Sequence, residues 1–112
     1  MRTIQAKEVQ DAINTKSDIV ILNVLPSSIF AEEHIPGSMN IPLEDSDFVE
    51  QVKMKLQDVH RPVIVYCASL LCPASTEAAT ILEEEGFSNV MDFKGGMEEW
   101  HKIGQKIESG AV

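Results

Sequence analysis

Arginine is nearly absent. Only Arg2 and Arg61 occur in 112 residues, and nine basic side chains stand against eighteen acidic ones, for a formal net charge of −9. Binding to phosphate backbones and anionic membrane surfaces relies on clustered lysine and arginine, so neither nucleic acid nor a membrane is an expected partner. Cysteine is equally sparse. Cys67 and Cys72 are too few for a disulfide scaffold, and with three scattered histidines they make no metal-ligand set at a recognisable spacing. No metal or other cofactor is expected. No apolar run approaches the roughly 20 residues of a membrane span, and Met1-Arg2-Thr3-Ile4-Gln5 lacks the apolar core of a secretion signal. A cytoplasmic location is the expectation. No repeat, low-complexity tract or linker divides the chain, whose length fits a single domain over residues 1–112.

What is present alternates. Residues 6–14 carry Val9, Ala12 and Ile13 at helical spacing, and 18–24 form a continuous β-branched run suited to a strand buried on both faces. Pro26-Ser27-Ser28 stops that strand. A helical turn is expected over 29–33, a turn over 34–37 and an extended piece over 39–41. Residues 47–56 repeat Phe48, Val49, Val52 and Leu56 helically; 62–66 form a second buried strand that ends at Cys67. The pattern predicts a helix over 75–85 with Gly86 just past its end, a third strand over 89–93, and a last helix over 97–103 after Gly95-Gly96. Strands alternating with helices imply an α/β fold with an open, mostly parallel sheet covered on both faces. Such sheets place their sites beyond the carboxyl ends of the strands, where Cys67 stands.

The segment Tyr66-Cys67-Ala68-Ser69-Leu70-Leu71-Cys72-Pro73-Ala74-Ser75 joins a strand to a helix. A turn of this length can curl its amides toward one point, at which the following helix also aims its positive end. A thiolate there would be stabilised, so the Cys67 pKa is expected below the roughly 8.5 of a free thiol. Pro73 suits the first helical position, which leaves Cys67 to Cys72 as the loop proper. A cysteine closing a buried strand also reads simply as a small apolar side chain, and position alone leaves both readings open.

Five pieces in order then resemble one family. Ile21-Leu22-Asn23-Val24 stands where rhodanese-like proteins have a strand ending in Asp-Val-Arg. Phe30 to Pro42, with His34-Ile35-Pro36-Gly37 at its centre, is similar to the family's aromatic-x-x-x-His-Ile-Pro-Gly-Ala-x-Asn-Ile-Pro stretch. Val63-Ile64-Val65-Tyr66-Cys67 resembles the strand that delivers the family's cysteine, and Gly86-Phe87-Ser88-Asn89-Val90 and Gly95-Gly96-Met97-Glu98-Glu99-Trp100 resemble the last two hallmarks. The resemblance implies a three-layer α/β/α fold around a five-stranded, mostly parallel sheet. It also implies sulfane-sulfur transfer: Cys67 as the nucleophile that carries a persulfide, cradled by the backbone of Ala68, Ser69, Leu70, Leu71 and Cys72.

The departures shape the expected chemistry. Asn23 and Leu25 replace the Asp and Arg of Asp-Val-Arg, the loop has neither glycine nor arginine, and Cys67 lies farther from Gly86 than is common in the family. An arginine would anchor a dianion bidentately. Arg61 starts the strand that ends at Cys67 and so belongs at the opposite edge, which argues against phosphatase, arsenate reductase and efficient thiosulfate chemistry. Leu70 and Leu71 suit a protein-bound or small-thiol persulfide donor, and acceptors of the same kind are expected. Lys94 stands near enough in sequence to Gly95-Gly96 to reach the site or to remain a solvated lysine. Cys72 is a candidate redox partner that could close a disulfide with Cys67. His34 is expected to hold its turn, His101 to lie on the surface and Trp100 in the core or at its edge. Three functions remain: a sulfurtransferase-type persulfide carrier, a thiol-disulfide protein, or a catalytically weak interaction module. Oligomeric state is open, with a monomer favoured.

Overall fold

The computed structural model describes residues 1–15 and 18–110. Three apolar runs make the interior of its sheet: β2 (Val20–Asn23), β4 (Val63–Tyr66) and β5 (Val90–Phe93), buried at every position. Two-residue strands β1 (Arg2–Thr3) and β3 (Met39–Asn40) close the edges. The order is β1-β5-β4-β2-β3, and every pair is parallel. The expectation of five strands holds, and "mostly parallel" sharpens to parallel throughout. Among the described residues, the one antiparallel contact is an isolated bridge between His34 and Glu108.

Strand β1 has no counterpart in the sequence pattern. Both its residues are exposed, so no hydrophobic alternation marks it. It forms because its backbone satisfies the open edge of β5: Arg2 pairs with Met91, Thr3 with Asp92, and the Ile4 N–H donates to the Asp92 carbonyl at 3.0 Å.

The helices fall close to their expected bounds: α1 (Ala6–Asn14), α2 (Ser27–Glu32), α3 (Phe48–Leu56), α4 (Ala74–Glu84) and α5 (Gly96–Lys102). Ser27 and Ser28, expected outside any helix, are instead the first turn of α2. There the Pro26 carbonyl accepts from the N–H groups of both Ile29 and Phe30, at 3.0 and 3.1 Å. Helix α4 starts one residue early, so Pro73 is its cap rather than its first helical residue. It ends as the sequence requires. Gly86 (φ +98°) donates to Glu83, and Phe87 turns back to donate to Leu82, both at 3.0 Å.

Side chains alternate across the sheet. Val20, Leu22, Val63, Val65 and Val90 face α3 and α4, meeting Val52, Leu56, Ala79 and Leu82. Ile21, Ile64, Tyr66, Met91 and Phe93 face the other way, against Val9 of α1 and Met97 and Trp100 of α5. This is the three-layer α/β/α arrangement. Counting the alternation one residue past β4 turns Cys67 toward α3 and α4, and it packs in that cluster.

Candidate active site

Cys67 follows β4 at the carboxyl edge, and its residue is 0% exposed. Two contacts from α5 clamp the start of the loop. The Met97 N–H donates to the Cys67 carbonyl at 3.0 Å, and the Glu98 N–H to the Ala68 carbonyl at 2.9 Å. The middle of the loop folds on Ser69, whose carbonyl accepts from the Cys72 N–H (3.0 Å) and whose hydroxyl accepts from the Leu71 N–H (3.3 Å). Those two amides therefore do not point at the Cys67 sulfur. What lies against Sγ is the Cys72 carbonyl, which accepts from the thiol at 3.4 Å.

A carbonyl beside sulfur favours the protonated thiol. Burial pushes the Cys67 thiol up, and the neighbouring Cys72 thiol pushes it further; the N–H and hydroxyl of Ser75 pull it down but do not prevail. The expectation of a depressed thiol is thus corrected. Two of the loop amides, those of Leu71 and Cys72, are spent on Ser69, and the sulfur sits in an apolar cluster where a charge is poorly solvated.

Three of the expected cradle residues lie at the surface, most of all Leu70 (71% exposed) and Leu71 (94%). Ala68 is exposed, while Ser69 and Cys72 are half-buried. Cys67 and Cys72 are both free thiols, and the structure brings them side by side. Leu25, in place of the family's arginine, is buried in the same cluster as Cys67. Asn23 turns its Oδ1 back to accept from the Leu25 N–H at 2.9 Å. Arg61 lies at the far edge, paired with Asp18 at 3.0 Å. Lys94 follows β5 on the Cys67 edge and has no ion-pair partner among the described residues. His34 is buried, donates its Nδ1–H to the Phe30 carbonyl at 2.8 Å, and stacks on the Phe30 ring. His101 pairs with Glu33 on the surface at 2.9 Å. Among the described residues no group of His, Cys, Asp or Glu could hold a metal ion, and no helix is long and apolar enough to cross a membrane.

The sequence reading missed two residues. Ser75, at the start of α4, is 1% exposed, and its hydroxyl has no hydrogen-bond partner apart from the neighbouring Cys67 sulfur. Its place in the first turn after the cysteine loop was the available signal. Asp92 is a fully buried carboxylate under the same turn. Its Oδ2 accepts from Thr76 at 2.7 Å, and Oδ1 has no partner. A charged residue interrupting the apolar run of β5 could have flagged it.

The raised thiol has a measurable consequence. Alkylation of Cys67 by iodoacetamide will be slow at pH 7 and will rise with pH through a midpoint above the roughly 8.5 of a free thiol. Because the folded pKa lies above the unfolded one, the stability contribution is complete below about pH 8.5 and is lost as pH rises toward the folded value. Burial raises the Tyr66 hydroxyl too, so both groups act in the same direction. Urea midpoints measured from pH 7 to 10 will fall on the alkaline side. A midpoint for Cys67 alkylation below that of a free thiol would contradict this account.

Comparison with known proteins places this geometry. The family model of the rhodanese-like domain matches residues 5–103. The chain is 33% identical over 86 residues to the thiosulfate sulfurtransferase GlpE of Coxiella burnetii, covering 76% of this chain and 74% of that protein. It is 27% identical over 94 residues to the HTH-type transcriptional regulator Rv0324 of Mycobacterium tuberculosis, covering 84% of this chain but only 39% of the regulator. The crystal structure of a thiosulfate sulfurtransferase from Pseudomonas aeruginosa superimposes with a TM-score of 0.88 at 26% identity, over all of this chain and 21% of that one. The chain thus spans less than half of the regulator and of the Pseudomonas protein. A match over nearly the whole sequence, the shared parallel sheet and the cysteine at its carboxyl edge lead to one conclusion: this chain belongs to the rhodanese-like family, whose members include sulfurtransferases.

Proposed function

We propose that the chain carries sulfane sulfur as a persulfide on Cys67. The observation that supports this most is the position of Cys67. It sits between the end of β4 and the first turn of α4, with the N–H and buried hydroxyl of Ser75 beside its sulfur. A persulfide anion formed there would gain both donors and the helix dipole. In the transfer, the Cys67 thiolate attacks the outer sulfur of a donor persulfide, the donor S–S bond breaks, and the donor thiol leaves with a proton. An acceptor nucleophile then removes the same sulfur and regenerates the Cys67 thiol. No electrons are gained or lost overall.

The donor is a protein or small-thiol persulfide rather than thiosulfate. A dianion asks for a guanidinium, and both arginines are committed elsewhere, Arg61 to Asp18 and Arg2 to Glu8. The exposed turn of Leu70 and Leu71 offers apolar contact instead. A second reading, a catalytically weak interaction module, is favoured by the complete burial of Cys67 and by that same exposed turn.

Mass spectrometry separates the two. After incubation of the reduced protein with glutathione persulfide, peptide mapping with fragmentation will show one added sulfur atom at residue 67. Thiosulfate:cyanide turnover will be poor. An unmodified Cys67 sends the assignment to the interaction module, and rapid thiosulfate turnover would overturn the donor class.

A further inference from the structure

We propose that sulfane sulfur reaches Cys67 by way of Cys72, which acts as the receiving thiol of a two-cysteine relay. This rests on the persulfide-carrier reading and extends it to a second reacting residue. Cys67 is 0% exposed, so a donor persulfide cannot reach its sulfur with the loop as it stands. Cys72 is half-buried: it packs against the Cys67 cluster on one side and meets solvent on the other. Of the loop residues, it is Cys72 that is laid on the buried sulfur, with the Cys67 thiol donating to its carbonyl at 3.4 Å. The Cys72 thiol is close enough to act electrostatically on Cys67. The turn that presents Cys72, Leu70-Leu71, is the most exposed apolar feature of the loop, so a donor docking there arrives next to Cys72 first.

The chemistry balances without an oxidant. In the first step the Cys72 sulfur attacks the outer sulfur of glutathione persulfide, whose S–S bond breaks, and glutathione leaves as a thiol. In the second step the Cys67 sulfur attacks the outer sulfur of the Cys72 persulfide. The Cys67 proton passes to the departing Cys72 sulfur, which returns to a thiol, and the persulfide now stands on Cys67. One S–S bond forms and one breaks in each step. Cys67 must lose its proton to attack, and the Cys72 sulfur that leaves beside it is where that proton goes.

The test is rapid-quench labelling with glutathione persulfide, followed by fragmentation mass spectrometry that assigns the added sulfur to residue 67 or 72. In the wild type the sulfur will appear on Cys72 first and accumulate on Cys67. In Cys67→Ser it will stop on Cys72, an outcome that a mere packing role for Cys72 would not produce. Cys72→Ser and Cys72→Ala will both load Cys67 at least about tenfold more slowly. Loading of Cys67 at the wild-type rate in Cys72→Ser overturns the relay and leaves the carrier reading intact, and so does a Cys67→Ser protein never labelled on Cys72. A wild-type product lighter by two hydrogens, with sulfide released, overturns it in favour of a Cys67–Cys72 disulfide. No sulfur on wild-type Cys67 removes the carrier reading itself.

Discussion

A Gly96→Ala variant will lose about 2–4 kcal/mol of stability and, with it, the geometry of the cysteine loop. Gly96 opens α5 at φ +56°, in the left-handed region that a side chain resists. A Cβ there would lie 2.2 Å from the Cys67 carbonyl oxygen and 2.8 Å from its carbon. Both are backbone atoms, so no rotamer change relieves the clash. Relief requires α5 to withdraw from the end of β4, which breaks the Met97 and Glu98 hydrogen bonds that clamp the loop. Gly86 is the control. It too has positive φ, but a Cβ added there meets nothing within 4 Å, so Gly86→Ala will lose only the backbone term of about 1–2 kcal/mol. Urea denaturation measures the stabilities, and glutathione persulfide loading at a urea-free temperature well below each midpoint measures the loop. Equal stability of the two variants, or wild-type loading by Gly96→Ala, would show that the clamp does not hold the site.

Trp100→Ala will lose about 3–5 kcal/mol, a large share of the 5–15 kcal/mol that typically holds a domain folded. Trp100 is 2% exposed and lies in the cluster with Val9, Ile64, Tyr66 and Phe93, so its removal opens a cavity between α5 and the sheet. Its Nε1–H also donates to the Lys106 carbonyl at 2.9 Å. Lys106 is exposed, so water replaces that bond, and nearly all of the loss comes from packing. Trp100→Phe keeps most of the packing and will lose far less. The urea midpoints of the two variants give the comparison; a Trp100→Ala loss under about 1 kcal/mol would mean that α5 repacks freely.

Both effects come from α5, and the sequence foretells them unequally. Trp100 was legible as a core or core-edge aromatic from its size and apolar character alone. The need for glycine at 96 was not, because it depends on which backbone lies across from it. Cys67 was legible in place, since it closes an apolar run that reads as a buried strand and precedes a helix. Its chemical state was not. Whether the loop amides stabilise an anion depends on where they turn, and Ser69 takes two of them. Ser75 and Asp92 escaped notice for the same reason: a buried polar side chain acquires its meaning from neighbours far along the chain.

The amino-acid order alone determined the alternation of helix and strand, the α/β class, the placing of a cysteine at the carboxyl edge of a buried strand, and the scarcity of guanidinium groups. Those properties follow from local periodicity and composition, which need no third dimension. Only the tertiary structure decided that residues 2–3 complete the sheet, that Leu70 and Leu71 face solvent, and that Cys67 rests protonated beneath Cys72. Each of these depends on contacts between segments distant in sequence, where burial and hydrogen-bond competition set the outcome.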